Sequence, residues 1–207
     1  MYKLYYSPGA CSMAIHVALN ECNQPVTLEK IDMMAGQNRT PEYLKLNPRG
    51  QVPVLVDGDT VLREGAAILI HVLEKHNSPL FPKSGMARTD AMEWLMFANA
   101  TLHPAYARIF FLKRNGVTEG PLVEAAAANI NKLWEEVEQR LSSRPYICGE
   151  QMTVADILLT VIANWSGHVP KPITLGPNTK RLLKNVSSRP AYQKALAAEE
   201  VEYKVAA

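Results

Sequence analysis

The sequence predicts an α/β domain over residues 1–78 followed, after a connection at 79–85, by an all-helical domain over 86–207. Two observations carry the prediction. Short β-type runs at 2–6, 26–32, 52–56 and 60–62 are interleaved with helical apolar spacing in the N-terminal part. Past residue 85 only helical periodicity returns, broken at glycines and prolines.

Residues 2–6 read as a strand, Ser7-Pro8-Gly9-Ala10 has turn chemistry, and from Cys11 the positions Met13, Ile15, His16 and Leu19 mark a helix. Residues 26–32 alternate (Val26, Leu28, Ile31), and their distance from the first strand is long enough for a crossover, so the two strands should run parallel. After a polar loop at 33–39, Thr40 reads as an N-cap with Pro41 at the first helical position of a short helix to Leu46. The runs 52–56 and 60–62, joined through Asp57-Gly58-Asp59, form a hairpin. Residues 65–76 show helical spacing, with Ala66, Ile68, Leu69, Val72 and Leu73 facing inward. This βαβ then ββα order is thioredoxin-like.

Residues 77–85 hold Pro79 and Pro82 and no periodic pattern, which places the interdomain connection there. Helices are expected over 87–114, 119–142, 153–165, 180–186 and 191–202, with breaks at Gly116, Pro145, Gly149, 167–177 and Pro190. Thr153-Val154-Ala155-Asp156 has the form of a capping box, which makes Asp156 a structural residue.

The 207 residues are 47% hydrophobic, enough for buried cores without covalent staples. A formal charge of +2 without a long basic block makes no case for nucleic acid or an anionic membrane, and points to small-molecule partners. The three cysteines, Cys11, Cys22 and Cys148, are odd in number and widely spaced; they fit neither a disulfide framework nor a zinc site, and no metal is expected. Apolar runs such as 157–163 fall far short of the ~20 residues that span a bilayer. No basic region precedes an apolar one at the start of the chain, so a soluble, cytoplasmic protein is expected.

The chemistry centres on Cys11. A strand-turn-helix setting puts it at a helix N-terminus, where unpaired N–H groups and the positive end of the dipole favour a thiolate, either its own or a substrate's. Glu64-Gly65 likewise sits where a strand ends and a helix begins. The Gly65 and Ala66 N–H groups are placed to hold a carboxylate and Glu64 to pair with an ammonium, the two charges of an α-amino acid head group. Asn99, His103 and Tyr106 recur at helical spacing on one face. Tyr106, Phe110, Trp165 and His168 are candidates for an apolar co-substrate pocket, with core packing the competing reading for Phe110 and Trp165. Ala14 occupies the second position of a Cys-x-x-Cys pair, which excludes dithiol chemistry at Cys11. No phosphate-binding glycine motif follows a strand.

The runs Ser7-Pro8-Gly9-Ala10-Cys11-Ser12, Thr40-Pro41-Glu42-Tyr43-Leu44, Asn47-Pro48-Arg49-Gly50-Gln51-Val52-Pro53-Val54-Leu55 and Glu64-Gly65-Ala66-Ala67-Ile68 resemble the N-terminal domain of cytosolic glutathione transferases. Thr153-Val154-Ala155-Asp156 and Arg189-Pro190-Ala191-Tyr192 resemble the family's helical domain, and Cys11 points to the bacterial, beta-class-like branch. The resemblance implies a cis Val52-Pro53 bond, with Val52 presenting its backbone to the cysteinyl part of glutathione and Gln51, Val52 and Pro53 in the glutathione site. It assigns the γ-glutamyl end to Glu64 and Gly65, where many relatives carry serine in place of Gly65. For the glycyl carboxylate, a lysine of some relatives is absent from the loop at 33–38; Gln37, Asn38 and Arg39 remain open, with Asn38 ranked first. It implies that His103 occupies the position of a histidine facing the cysteine, holding the thiolate by a hydrogen bond or, when protonated, by charge. Asn99 is a possible stand-in for a polar residue that relatives carry where this chain has Met96.

The function expected is glutathione transfer: glutathione as co-substrate, its thiolate attacking a small electrophile, with Cys11 and His103 catalytic, in a homodimer acting in detoxification. Two alternatives stand beside it. One is glutathione-dependent thiol-disulfide exchange or peroxide reduction through Cys11. The other is a non-catalytic binding or regulatory protein that keeps the fold.

Overall fold

A computed structural model describes residues 1–205, which fall into two compact units: Met1–Phe81 with Arg189–Glu202, and Pro82–Ser188 with the stretch from Tyr203 onward. The first unit is built on a four-stranded sheet. Strand β1 (Tyr2–Tyr6) is followed by helix α1 (Ser12–Glu21) and β2 (Val26–Lys30); then come a 3-10 turn at Gln37–Arg39, α2 (Pro41–Leu46), the hairpin β3 (Val54–Asp57) and β4 (Thr60–Arg63), and α3 (Gly65–Lys75). The sheet order is β2-β1-β3-β4, with β1 parallel to β2 and antiparallel to β3. Leu4 therefore faces Leu28 on one side and Leu55 on the other, and Leu4 and Leu55 are fully buried.

Each N-terminal element lies within a few residues of its expected range. Thr40 caps α2 as its sequence position demands, its hydroxyl accepting the Tyr43 N–H at 3.3 Å. All five residues expected on the inner face of α3 are buried. Helix α1 differs from an ordinary amphipathic helix, since every residue from Ser12 to Asn20 is buried. It packs on α3 and β1 and is covered by α9 (Pro190–Glu199), a helix from the far end of the chain. Arg189 makes a two-pronged contact with Glu21 at 2.6 and 2.8 Å, and the Asn20 amide donates to the Ala191 carbonyl at 3.1 Å. Periodicity groups residues 191–202 with the helical domain; contact places them with the first unit, because periodicity identifies a helix and not the surface that buries it.

The second unit contains α4 (Gly85–Met96), α5 (His103–Arg114), α6 (Pro121–Leu141), α7 (Val154–Ala163) and α8 (Pro177–Ser187). Its core gathers Trp94, Leu95, Leu102, Ile109, Ile130, Trp134, Leu159, Ile162, Leu182 and Val186, and every residue of α7 is buried. The helix expected over 87–114 is interrupted by a π-helical segment at Phe97–Leu102. Pro104, in the first turn of α5, has no N–H for the α-helical bond to residue 100, which accounts for the break there. Helix α8 starts three residues before its expected range. Pro177 and Pro190, both read as breaks, occupy first-turn positions where proline starts a helix.

Asp156 has the expected structural role. Its carboxylate accepts the Thr153 N–H at 2.7 Å, the Thr153 hydroxyl at 3.1 Å and the Ile147 N–H at 2.8 Å. Glu138 of α6 closes the start of α8, accepting the N–H and side-chain donors of both Asn178 and Thr179 at 2.7 to 3.1 Å. No helix among the described residues is long and apolar enough to cross a membrane.

Candidate active site

The loop between β1 and α1 is held at three points. Its turn closes through the Ala10 N–H to the Ser7 carbonyl at 3.0 Å; the Ser12 hydroxyl donates to that carbonyl and accepts the Ser7 N–H, both at 3.3 Å. Gly9, at φ +66°, turns its N–H onto a carboxylate oxygen of Glu199 at 3.1 Å. This places Cys11 as the residue that opens α1, as expected, half-buried, with its thiol donating to the Val52 carbonyl across 3.8 Å.

The charge state of that thiol differs from the expectation. Burial pushes Cys11 up to about 11, more than the backbone N–H groups of Ser12 and of Cys11 itself bring it down, and the negative charge of Glu64 raises it further. A depressed thiol was expected from the helix start alone; the apolar surroundings outweigh the dipole. Cys11 is therefore a protonated S–H donor at neutral pH.

The loop facing Cys11 is clamped from below. The Val52-Pro53 bond is cis. The Gln51 carbonyl accepts from the Tyr43 hydroxyl at 2.8 Å and the Asn47 amide at 2.7 Å, so Gln51 is tied into the scaffold through its backbone. Among the described residues nothing pairs with the Val52 N–H. Asn38 is buried and its amide donates to the Gly50 carbonyl at 2.7 Å. One of the two N–H groups of the Asn38 amide is thus used in holding the loop. Gln37 is also engaged, its side-chain oxygen accepting the Asp32 N–H at 2.8 Å; Arg39 remains an exposed cation, with one N–H on the Arg49 carbonyl at 3.4 Å.

Glu64 opens α3 in a left-handed backbone conformation, φ 72°, and makes no capping bond with its side chain. Its carboxylate meets Arg49 at 2.8 Å, and the residue itself precedes the first turn of α3, whose opening N–H groups have no intrahelical partner. Cys11, Val52, Pro53, Gln51, Glu64 and Gly65 thus share one unit, in contiguous loops at one end of its sheet.

In the helical unit, His103 stands edge-on to Trp165 with ring centroids 4.9 Å apart, and Trp165 also meets Tyr106 at 5.8 Å and Phe110 at 6.3 Å. Burial lowers the His103 pKa, so the neutral ring is favoured and a charged role is not. Tyr106 is fully buried, its hydroxyl bonded to Ser166 at 2.6 Å and to the Trp134 indole N–H at 2.8 Å; it belongs to the core and not to a pocket wall. Phe110 and Trp165 are half-buried. His168 is exposed and contributes its carbonyl to Lys113, so the aromatic group leaves it out. Asn99 lies half-buried inside the π segment, which offsets it from the α-helical face shared by His103 and Tyr106.

Comparison with known proteins decides what this arrangement belongs to. The glutathione S-transferase N-terminal domain family matches residues 1–74 and the glutathione S-transferase C-terminal domain family residues 96–190. The chain is 30% identical over 201 residues to glutathione S-transferase GstA of Escherichia coli, covering 95% of this chain and 98% of that one. The chain belongs to the glutathione transferase family. A glutathione S-transferase structure from Xylella fastidiosa superposes with a TM-score of 0.87 at 28% identity, covering 98% of this chain and 100% of that one. The bacterial transferase BphK, in a ternary complex, gives 0.85 at 33% identity, covering 96% and 100%.

Two features of this transferase escaped the sequence reading. Arg49 lies within the run Asn47–Leu55, but nothing in its spacing links it to Glu64. The His16–Glu199–Gly9 group joins residues separated by most of the chain, and no local pattern marks it.

Proposed function

We propose that this glutathione transferase holds glutathione along the loop ending at Val52, with the γ-glutamyl head at Glu64 and the start of α3, and conjugates its thiolate to a small electrophile. The observation that carries the reading is the Val52 backbone, with its N–H unpaired among the described residues, beside the Cys11 thiol. An extended thiol peptide pairing with Val52 as a short added strand would bring its sulfur to Cys11. Cys11, protonated at neutral pH, serves better as a hydrogen-bond donor to the substrate's thiolate than as a nucleophile of its own. Each pKa unit taken off the substrate thiol corresponds to about 1.4 kcal/mol of preferential thiolate binding.

The part assigned to His103 rests on the resemblance, and Asn99 has only the status of a neighbouring polar residue. For the glycyl carboxylate, Asn38 keeps its place and the exposed cation Arg39 stands beside it as a second candidate. Assignment to the beta class, a homodimeric state, a cytoplasmic location and a detoxifying role complete the proposal. Titration calorimetry with glutathione tests it: the chain binds, and Glu64→Ala weakens binding. Unchanged affinity in that variant would remove the head-group assignment. Light scattering should return twice 23.0 kDa, and a monomer mass would refute the dimer.

Exchange through Cys11 is the second reading, favoured by its place beside Val52 and disfavoured by its protonation.

A further inference from the structure

We propose that Arg49 is a specificity-determining residue of the head-group subsite, making the α-carboxylate of the ligand obligatory. The inference rests on the glutathione-binding reading above and deepens it. Glu64 and Arg49 form an ion pair at 2.8 Å with both side chains more than half exposed. Such a pair stabilises a fold very little, because water and salt screen it. The left-handed conformation of Glu64 costs more than that, and glycine would adopt it freely. Folding therefore does not explain a glutamate at this position; its carboxylate, standing at the start of α3, does.

The consequence lies in the charges. An ammonium arriving at Glu64 arrives also at Arg49, and two cations sharing one carboxylate repel each other. A ligand bringing an ammonium alone is met by that repulsion. A ligand whose ammonium is flanked by its own carboxylate offsets it, since that carboxylate is attracted both by the Arg49 charge and by the N–H groups of the first turn of α3. The pair thus selects the zwitterionic head of an α-amino acid over either charge alone. The Arg49 backbone is well placed for this: its N–H is bonded to the Asn47 side chain at 3.2 Å and its carbonyl accepts from Arg39, while among the described residues the guanidinium makes only the Glu64 contact.

The test is calorimetry on the full chain with glutathione, with glutathione amidated at the γ-glutamyl α-carboxylate, and with glutathione lacking the α-amino group. Wild type should bind the amide about 100-fold more weakly than glutathione, and Arg49→Gln should narrow that ratio about tenfold, one charge contact's worth. Arg49→Lys, which keeps the charge, should hold the wild-type ratio. Added salt should narrow the ratio in wild type and leave it unchanged in Arg49→Gln. An Arg49→Gln variant that shifts all three ligands by one factor, or none of them, would overturn the role of Arg49. Failure of wild type to bind glutathione would instead overturn the site reading beneath it.

Discussion

His16 of α1 and Glu199 of α9 meet at 3.0 Å with side chains 3% and 0% exposed, and the other Glu199 oxygen holds the Gly9 N–H at 3.1 Å. A residue near the end of the chain thereby holds the loop that presents Cys11. One carboxylate thus bonds both the buried His16 ring and the Gly9 N–H, so removing it takes a partner from each.

Glu199→Ala should accordingly destabilise the protein by about 1–3 kcal/mol, the cost of taking the hydrogen-bond partner from a buried polar group. Urea denaturation of wild type and variant measures it. An unchanged midpoint would mean that water replaces the carboxylate at no cost.

At Cys11 the outcome follows from protonation. Alkylation followed by peptide mass mapping across pH should give half-maximal labelling of Cys11 near pH 11, above that of an ordinary cysteine. Cys11→Ala should abolish disulfide exchange while lowering conjugation only about tenfold, the loss of one hydrogen bond to a thiolate. Labelling that is complete at pH 7 would make Cys11 a thiolate and favour the exchange reading.

Glu138 and Gly176 should act as one unit. A Cβ on Gly176 would overlap the Glu138 carboxylate, so Gly176→Ala expels the group that closes the start of α8. Each single substitution, Gly176→Ala or Glu138→Ala, should cost about 2–3 kcal/mol, and the double variant little more than either. Additive losses would show that the two act independently.

Two carboxylates give stability opposite slopes with pH. Burial raises Glu138, but the Thr179 and Asn178 donors outweigh it and leave its pKa below 4.5. Its contribution is present above the unfolded value and lost as pH falls through the folded one. Asp156 is raised by burial to about 6, from 3.8. Between those values the folded state holds a proton that the unfolded state has released, so its contribution is full below 3.8 and is lost as pH rises through 6. Stability against pH in wild type and Asp156→Ala checks the sign: the variant should be less stable, through the unpaired N–H groups of Ile147 and Thr153, and should lose the decline between pH 4 and 6. A decline that persists in the variant would assign it to other groups.

What the sequence determined by itself was local. Strand alternation, the Thr40-Pro41 start, the Asp57-Gly58-Asp59 turn and the inner face of α3 depend on neighbours a few residues apart, and each element formed close to its expected range. The glutathione motifs were legible for the same reason, being short runs at loop ends. Tertiary structure decided what depends on environment. It attached α9 to the first unit, buried Asn38 with its amide on Gly50, buried Tyr106 against Trp134, and raised the Cys11 thiol where the helix start alone predicts a lowered one. The physical reason is common to all four: burial and the availability of a donor are set by residues distant in sequence, and no periodicity or motif encodes which of them will be adjacent.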